Sequence, residues 1–440
     1  MCEDDDEPRK LPVSIELLAI WFNHDPASAT NDALNLRLNG LAGTLVGQPE
    51  WRVEGAGIVQ VSAAAYAIEA TRGRDLTIGV KLLSRSSGVQ QVQVRAIDPA
   101  IAGTPGPADR ISVLPAGHRA YRHTWLQYVA ATRLGRTRSN VLGHVEPQLV
   151  TFYNDTATEF LSFALGDVRL ATRGVGAWDV NWRWQYRLDD SSPWQDFAWT
   201  QHRIYALLDV PSRPWLQQPF VESNKQLPWA EVLERGCDWA RHATSPDHAA
   251  SRLTAAVYAL GGSLVDYDCA GGGSTHYTRL IPQLSVDCTA FLDLLRGGMG
   301  NGRLVNCIDC ASIVSTFANA LGCELWQSGM FSDSGAPFAL NPILTIGSHV
   351  WQTACNWGSF GYHEVAWKGG CTVQDTVFDA CLLINGSSSP IHAPYLPLLP
   401  TNIVFGEPGQ GLYRDRLAAP AGRLNCRPQP ASTRRRRVVR

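Results

Sequence analysis

The stretch VNCIDCASIVSTFANALG, residues 305–322, decides the fold of the second half of the chain. Its apolar residues recur at intervals of three and four, which predicts a helix with one buried face. Asn306 is a good N-cap residue, and Gly322 stands where a helix end favours a left-handed residue. The cap places Cys307 at the first helical position, where the helix dipole favours a thiolate over a thiol. We therefore expect a buried helix that begins with a nucleophilic cysteine.

Two later segments offer the partners that a catalytic thiol needs. Residues 361–367 and 377–383 are patterned as strands, and the glycine pair between them predicts a hairpin-like turn. The first strand carries His363 and the second carries Asp379. A thiol needs a base to accept its proton, and the base needs a carboxylate to fix its tautomer. The sequence therefore predicts Cys307, His363 and Asp379 as nucleophile, base and orienting acid.

Each member of this predicted triad has a competitor. Cys310 lies one turn further along the helix than Cys307, where the dipole acts more weakly. His349 has no aromatic–Asp pair following it at a matching separation, and Asp375 lies in the polar approach to the predicted strand. The Cys-x-x-Cys spacing also suggests a redox or zinc site. A zinc site would need a second pair of ligands, and a redox motif would follow a strand in a βαβ unit; we find neither pattern.

The order and context of these residues resemble the transglutaminase-like superfamily. The segment CIDCA, residues 307–311, is similar to the C-x-D-x-A helix of that family, and His363 and Phe378-Asp379 are similar to its strand-borne His and aromatic–Asp pair. The sequence departs from the family at Cys310, where an aromatic residue is usual, and at Val365, where Trp is usual. The resemblance implies a papain-like fold and acyl transfer, as in amide-crosslinking enzymes and peptidases. Inactive relatives also exist, so a non-catalytic binding or scaffold protein is the alternative.

The first half of the chain is patterned as strands. Apolar and polar residues alternate over residues 34–40, 76–82, 92–96 and 180–188. This period of two predicts sheets with one buried face and one exposed face. We therefore predict an N-terminal all-β sandwich at residues 11–213, of one or two units, followed by an α+β transglutaminase-like catalytic domain at residues 214–426.

A run of aromatic residues, Trp182, Trp184 and Tyr186, has two interpretations. Exposed on one face, such rings form a sugar-binding platform, which makes carbohydrate binding by the sandwich a second alternative function. Buried, they form part of a sandwich core, and this is the commoner arrangement.

The second half begins with helical patterns at residues 228–240 and 246–260, which precede a glycine-rich loop at residues 271–277. The loop lacks the lysine and spacing of a phosphate-binding loop. Both chain ends are strongly charged. We predict a disordered acidic N-terminus at residues 1–10 and a disordered basic tail at residues 427–440.

Composition narrows the class of protein. The chain has 440 residues, 45% apolar and 18% charged, with a net charge of −2. These values are typical of a globular protein of two or three domains, and they give no reason to expect a nucleic-acid partner beyond a weak role for the basic tail. No stretch reaches the length of a membrane span, and the N-terminus lacks the features of a secretory signal.

From the missing signal we predict a cytoplasmic protein whose eleven cysteines are mostly free, buried thiols. The expected substrate is a protein or peptide amide. The predicted chemistry uses no metal and no cofactor, and no EF-hand-like loop is present.

Overall fold

The structure is a computed structural model that describes residues 14–24, 33–38, 46, 49–54, 58–59, 62–99, 140–215, 227–270, 274–281, 284–332, 335–351, 354–384 and 402–440. The predicted acidic N-terminus at residues 1–10 and the first part of the glycine-rich loop, residues 271–273, lie outside these residues.

The first part of the described chain forms a ten-stranded sheet. Its strands in chain order are β1 (Ile15–Trp21), β2 (Trp51–Glu54), β3 (Ile58–Val59), β4 (Ser62–Ala67), β5 (Thr77–Ser84), β6 (Val89–Ile97), β7 (His144–Tyr153), β8 (Leu161–Gly166), β9 (Gly176–Arg187) and β10 (Gln195–Leu207). Two single-turn helices accompany them, α1 (Ile68–Thr71) and α2 (Leu170–Arg173). The expectation that this half is built from strands is confirmed.

The strands follow the order β3-β2-β1-β5-β8-β7-β6-β9-β10-β4. Neighbours are antiparallel, except that β4 runs parallel to β10. The ring of Phe22, directly after β1, stacks on Trp182 of β9 with 5.9 Å between centroids, although β1 and β9 are not neighbours in the sheet. The sheet therefore folds over so that the part around β1 faces the part around β9 across a shared apolar core.

The aromatic run lies inside this core. Trp182 and Trp184 are fully buried and Tyr186 is nearly so. The indole nitrogen of Trp182 donates to the carbonyl of Gly143, and that of Trp184 donates to Thr200. These rings therefore pack in the core, and they do not form an exposed platform. The predicted strand at residues 34–40 is wrong, because its described residues form only isolated bridges, at Leu34 and Arg37.

Among the described residues, every helix longer than four residues lies after residue 227. The longer ones are α3 (Ala230–Trp239), α4 (Pro246–Tyr258), α5 (Cys288–Leu295) and α6 (Cys307–Ala320), and α7 (Tyr413–Leu417) is short. The accompanying strands are β11 (Asp266–Tyr267), β12 (Thr278–Arg279), β13 (Ser285–Val286), β14 (Leu304–Val305), β15 (Trp326–Phe331), β16 (Phe338–Ala339), β17 (Ile343–Thr345), β18 (Ser359–Phe360), β19 (His363–Trp367), β20 (Thr376–Phe378), β21 (Leu382–Ile384), β22 (Asn402–Val404), β23 (Arg427–Pro428) and β24 (Val438–Val439).

A five-stranded sheet of order β22-β20-β19-β15-β23 supports the second part, and α6 packs against it and against α3 and α4. The predicted strand at residues 377–383 is not continuous. Its two ends belong to β20 and β21, which pair with different partners, and Asp379 lies directly after β20. The carboxylate thus sits at a strand end, where its oxygens are free to accept bonds from the following backbone.

The two parts of the chain share a buried boundary. The Arg203 guanidinium of β10 donates to both oxygens of Glu234 in α3, at 2.8 and 3.0 Å. The backbone N–H of Leu208 donates to the carbonyl of Leu321 at the end of α6. One apolar cluster also contains residues from both sides. The change from strands to helices falls between Leu207 and Ala230, and the division into domains at residues 213 and 214 stays a prediction.

The prediction of a disordered tail at residues 427–440 is wrong. Arg427–Pro428 pairs with β15, and Val438–Val439 runs parallel to β13. Between them, the backbone of Arg435 exchanges two hydrogen bonds with Gln327. A run of arginines suggested a solvated segment, but here aromatic faces, carbonyls and a buried carboxylate bind the guanidinium groups.

The cysteines are not all free. Cys269 and Cys355 form a disulfide that joins residues 86 positions apart, contrary to the expectation of free thiols for this pair. The other described cysteines are free and buried, as expected. Among the described residues, no helix is both long and apolar enough to cross a membrane.

Candidate functional site

The helix that carries Cys307 begins where the sequence predicts. Asn306 has extended backbone geometry, and its side chain accepts from the N–H of Asp309 at 3.0 Å. The Asp309 carboxylate accepts in return from the N–H of Asn306 at 3.3 Å, which completes a capping box. The helix ends before Gly322, whose φ of 86° is in the left-handed region. Cys307 is thus the first helical residue, on a rigid and buried element.

Asp309 also fixes the loop beside the helix start. Its carboxylate accepts from the backbone N–H groups of His276 and Tyr277, each at 2.9 Å, and it is fully buried. Burial raises the pKa of Asp309, and these hydrogen bonds oppose the rise. The described part of the predicted glycine-rich loop therefore lies against the start of α6, next to Cys307.

His363 and Asp379 form a buried pair. The Nε2 atom of His363 lies 3.0 Å from Oδ2 of Asp379. The same oxygen accepts from the hydroxyl of Tyr413 at 2.7 Å. The other oxygen accepts from the N–H groups of Cys381 and Leu382, at 2.8 and 3.1 Å. Each oxygen of the carboxylate is thus bonded, which holds Asp379 in one orientation toward the imidazole.

The surroundings of His363 favour its charged form. Burial, the largest single influence, lowers the pKa of His363, but the charge and hydrogen bond of Asp379, together with Cys307, raise it to about 10. The ring of Phe360 stacks on the imidazole with 5.4 Å between centroids. The Nδ1 atom makes no well-formed hydrogen bond with any of the described residues. Cys307 and Asp379 therefore both raise the pKa of one imidazole, and its Nδ1 atom is available for a hydrogen bond.

Cys307 and its competitor Cys310 differ in environment. Cys307 keeps 8% of its surface exposed, whereas Cys310 keeps 1%. The Cys310 thiol interacts with that of Cys381. The hydrogen bond from Cys381 is the largest single influence and lowers the pKa of Cys310, but burial and the nearby Asp309, Asp379 and Cys307 together raise it above its ordinary value. Cys310 is therefore a buried core thiol, and Cys307 is the thiol nearer to the surface.

The other competitors lie elsewhere. His349 is exposed and lies beside Gly262. Asp375 accepts from the backbone N–H and the hydroxyl of Thr372, at 2.7 and 2.8 Å, and so stabilises the turn before β20. Neither is bonded to His363 or to Asp379 among the contacts of the described residues.

Acyl transfer also needs donors to the oxyanion, and the sequence offers the side chains of Gln327, Trp326 and Trp351, which differ in what they contact. The Gln327 amide donates to Ser315, so it is engaged inside the core. The guanidinium groups of Arg434 and Arg436 lie over the Trp326 ring, 4.2 and 4.1 Å from its centroid. The indole nitrogen of Trp351 is buried and has no hydrogen-bond partner among the described residues. Of these three, the Gln327 amide is the donor that is already bonded to another side chain.

Sequence reasoning missed two contributors to the site. Tyr413 bonds to Asp379 from 34 positions away, and Arg437 forms a buried ion pair with Glu364, the neighbour of His363. Neither follows from local pattern, because a single tyrosine at a helix start and an arginine in a basic run are both common at the surface. A glutamate at an otherwise apolar strand position, Glu364, was the one available signal of a buried cation.

Among the described residues, no group of three or more His, Cys, Asp or Glu side chains is arranged to hold a metal ion.

Comparison with known proteins gives a distant likeness among solved structures. No family model matches the chain, and no curated protein matches it. Among solved structures, the chain is similar to red sea bream transglutaminase, with 10% sequence identity and a TM-score of 0.31. The match covers 73% of this chain and 49% of that one, so this chain spans about half the length of that structure. A likeness this distant carries no argument about the reaction.

Proposed function

We propose that the protein catalyses thiol-dependent acyl transfer on protein or peptide amides, with Cys307, His363 and Asp379 as its catalytic residues. The observation that carries the proposal is the position of His363. Its imidazole is fully buried, its Nε2 is bonded to Asp379, and its Nδ1 remains for the thiol. A thiol becomes an effective nucleophile when a base takes its proton and a carboxylate orients that base.

In the proposed first step, the sulfur of Cys307 attacks the carbonyl carbon of the amide while Nδ1 of His363, whose surroundings favour the charged imidazole, holds the proton that the thiol has given up. The tetrahedral oxyanion forms near the start of α6, where the N–H of Cys307 has no helical partner. His363 then gives the proton to the departing nitrogen, and a thioester on Cys307 remains.

The role of Asp379 in this scheme is orientation. Because Tyr413 and two backbone N–H groups hold its oxygens, the carboxylate keeps one orientation toward Nε2 and fixes which ring nitrogen faces the thiol. The thioester would then pass to water, as in a peptidase or amidase, or to a primary amine, as in a transglutaminase. We propose hydrolysis as the main outcome, because water is the default acceptor for a thioester.

The order of the elements that carry the three proposed catalytic residues also supports a proposal about the fold. We infer that the folded-over sheet is a β-sandwich and that the part after residue 213 is an α+β domain of the papain-like, transglutaminase-like type. The order of a buried helix that begins with Cys, then a strand with His, then Asp at the next strand end supports this inference.

The deciding experiment incubates the protein with glutamine-containing peptides, with and without a fluorescent primary amine. Ammonia release or backbone cleavage without amine incorporation would identify a hydrolase, and amine incorporation would identify a transglutaminase. Either activity should be lost in Cys307→Ala and in His363→Ala. The matched control is Cys310→Ala, which removes a buried thiol from the same helix and should keep the activity. Equal activity in Cys307→Ala and the unmodified protein would overturn the proposal.

A further inference from the structure

A buried cation from the last strand region of the chain lies beside the candidate site. The side chains of Arg437 and Glu364 have no exposed surface. Both oxygens of Glu364 accept from the Arg437 guanidinium, one of them at 3.1 Å from Nη2. The hydroxyl of Tyr362 donates to the same carboxylate. Glu364 is thus bonded on both oxygens, and the charge of each partner is matched inside the core.

The same guanidinium contacts two further elements. Its Nη1 donates to Ser312 of α6 at 2.8 Å and to the side-chain oxygen of Gln327 in β15 at 3.2 Å. The backbone N–H of Arg437 donates to that Gln327 oxygen as well, at 3.1 Å. One side chain therefore joins α6, β15 and β19, the elements against which the candidate site is built.

These contacts bear on the spacing between thiol and imidazole. Ser312 lies in the helix that begins with Cys307, and Glu364 directly follows His363 in β19. Both elements are rigid, so a bond between them restricts the distance between Cys307 and His363. We infer that Arg437 is a positioning residue that sets this distance. The inference rests on the proposed function, because it gives Arg437 a role only in a reacting thiol–imidazole pair.

The stability of the fold does not by itself explain the buried ion pair between Arg437 and Glu364. A buried ion pair contributes little net stability, since removing both charges from water costs about what their attraction returns. Its better-attested contribution is a unique geometry, and the planar fork of arginine bonds several partners in fixed directions. The segment is also held independently, by backbone bonds from Arg435 to Gln327 and from Val438 to Leu284. Loss of the ion pair should therefore change the distance between Cys307 and His363, while the segment from Arg435 to Val438 stays bound.

The test compares the unmodified protein with Arg437→Met, Glu364→Gln and the double variant. Iodoacetamide labelling of Cys307 is followed by mass spectrometry across a pH series, on protein shown to be folded. The double variant leaves no unpaired buried charge, so it is the one that remains informative if a single variant does not fold. Arg434→Met is the matched control, because Arg434 lies in the same segment but bonds the carbonyl of Gly369. His363→Ala measures the rate without the imidazole.

We expect the double variant to fold and to label Cys307 about tenfold or more slowly than the unmodified protein, with a pH profile moved toward that of His363→Ala. Arg434→Met should keep the original rate and profile. A folded double variant with the original profile would show that Arg437 is structural and would overturn the inference, while leaving the proposed function in place. If the unmodified protein already labels no faster than His363→Ala, the proposed function fails, and the inference fails with it.

Discussion

Nε2 of His363 and Oδ2 of Asp379 are 3.0 Å apart, in side chains that are 0% and 6% exposed. Burial is the largest single influence and lowers the pKa of His363, but the charge and hydrogen bond of Asp379, together with Cys307, raise it from 6.5 to about 10. The folded protein therefore binds a proton at this position over a pH range in which the unfolded chain does not. Stability from this pair is fully present below about pH 6.5 and is lost as the pH rises through about 10.

This relationship predicts a pH-dependent cost for Asp379→Asn. Without the carboxylate, burial keeps His363 neutral, so the stabilisation of the charged form disappears. Between about pH 7 and 10, the difference in free energy of unfolding between the original protein and the variant should shrink by about 1.4 kcal/mol per pH unit. Urea unfolding at several pH values measures this difference. A difference that stays constant across the range would show that His363 is not charged by Asp379.

Tyr413→Phe should weaken the orientation of Asp379. The change removes a hydrogen bond of 2.7 Å to a buried carboxylate, which costs about 1.5–3 kcal/mol of stability because the acceptor is charged. It should also slow labelling of Cys307, since Asp379 then has fewer bonds to hold it. The control is Tyr186→Phe, whose hydroxyl donates to the neutral amide of Gln195 at 2.9 Å in the first part of the chain. Equal effects of the two changes on labelling would contradict this role of Tyr413.

The Arg203–Glu234 pair should determine how strongly the two parts of the chain are coupled. Its side chains are 1% and 0% exposed, and Asp179 contributes a further bond to Arg203 at 2.9 Å. Arg203→Met leaves buried carboxylates without a cation, which costs about 3–5 kcal/mol. The double change with Glu234→Gln should recover part of this loss.

Denaturant unfolding, followed separately by amide hydrogen exchange of peptides from the first part and by Cys307 labelling of the second, checks this coupling. In the original protein, the two signals should change together. In Arg203→Met, they should separate. Coincident transitions in the variant would mean that the apolar boundary alone couples the two parts.

Much of this architecture follows from sequence, and the exceptions have physical causes. Alternation of apolar and polar residues located the long strands, because a buried face forces that period. The cap at Asn306 and the glycine at 322 located the Cys307 helix, because helix ends require particular residues. The strand expected at residues 34–40 failed, since alternation does not show whether a neighbour is available for pairing. The prediction of a disordered tail was wrong because a partner was available that the sequence did not reveal. Glu364, which binds Arg437, lies 73 positions away and gives no local signal.

The disulfide between Cys269 and Cys355 should contribute substantially to stability. It closes a loop of 86 positions, and the loss of chain entropy in the unfolded state corresponds to about 4.6 kcal/mol. Cys355→Ser should lower the denaturant midpoint by a corresponding amount, and a reductant should have the same effect on the original protein. Reductant should not change the midpoint of Cys355→Ser. An equal effect of reductant on both proteins would show that this bond is not the one being reduced.

The contact between Arg437 and Ser312 can form only late in the synthesis of the chain. The two residues are 125 positions apart, so α6 leaves the ribosome long before the guanidinium that joins it to β19. At a translation rate of about 5–20 residues per second, the delay is about 6–25 seconds. During that interval, the thiol helix has no cation to complete its core. If Arg437 positions the site, a growing chain carries its nucleophile in an unassembled form, and reactivity begins only when the last strands dock.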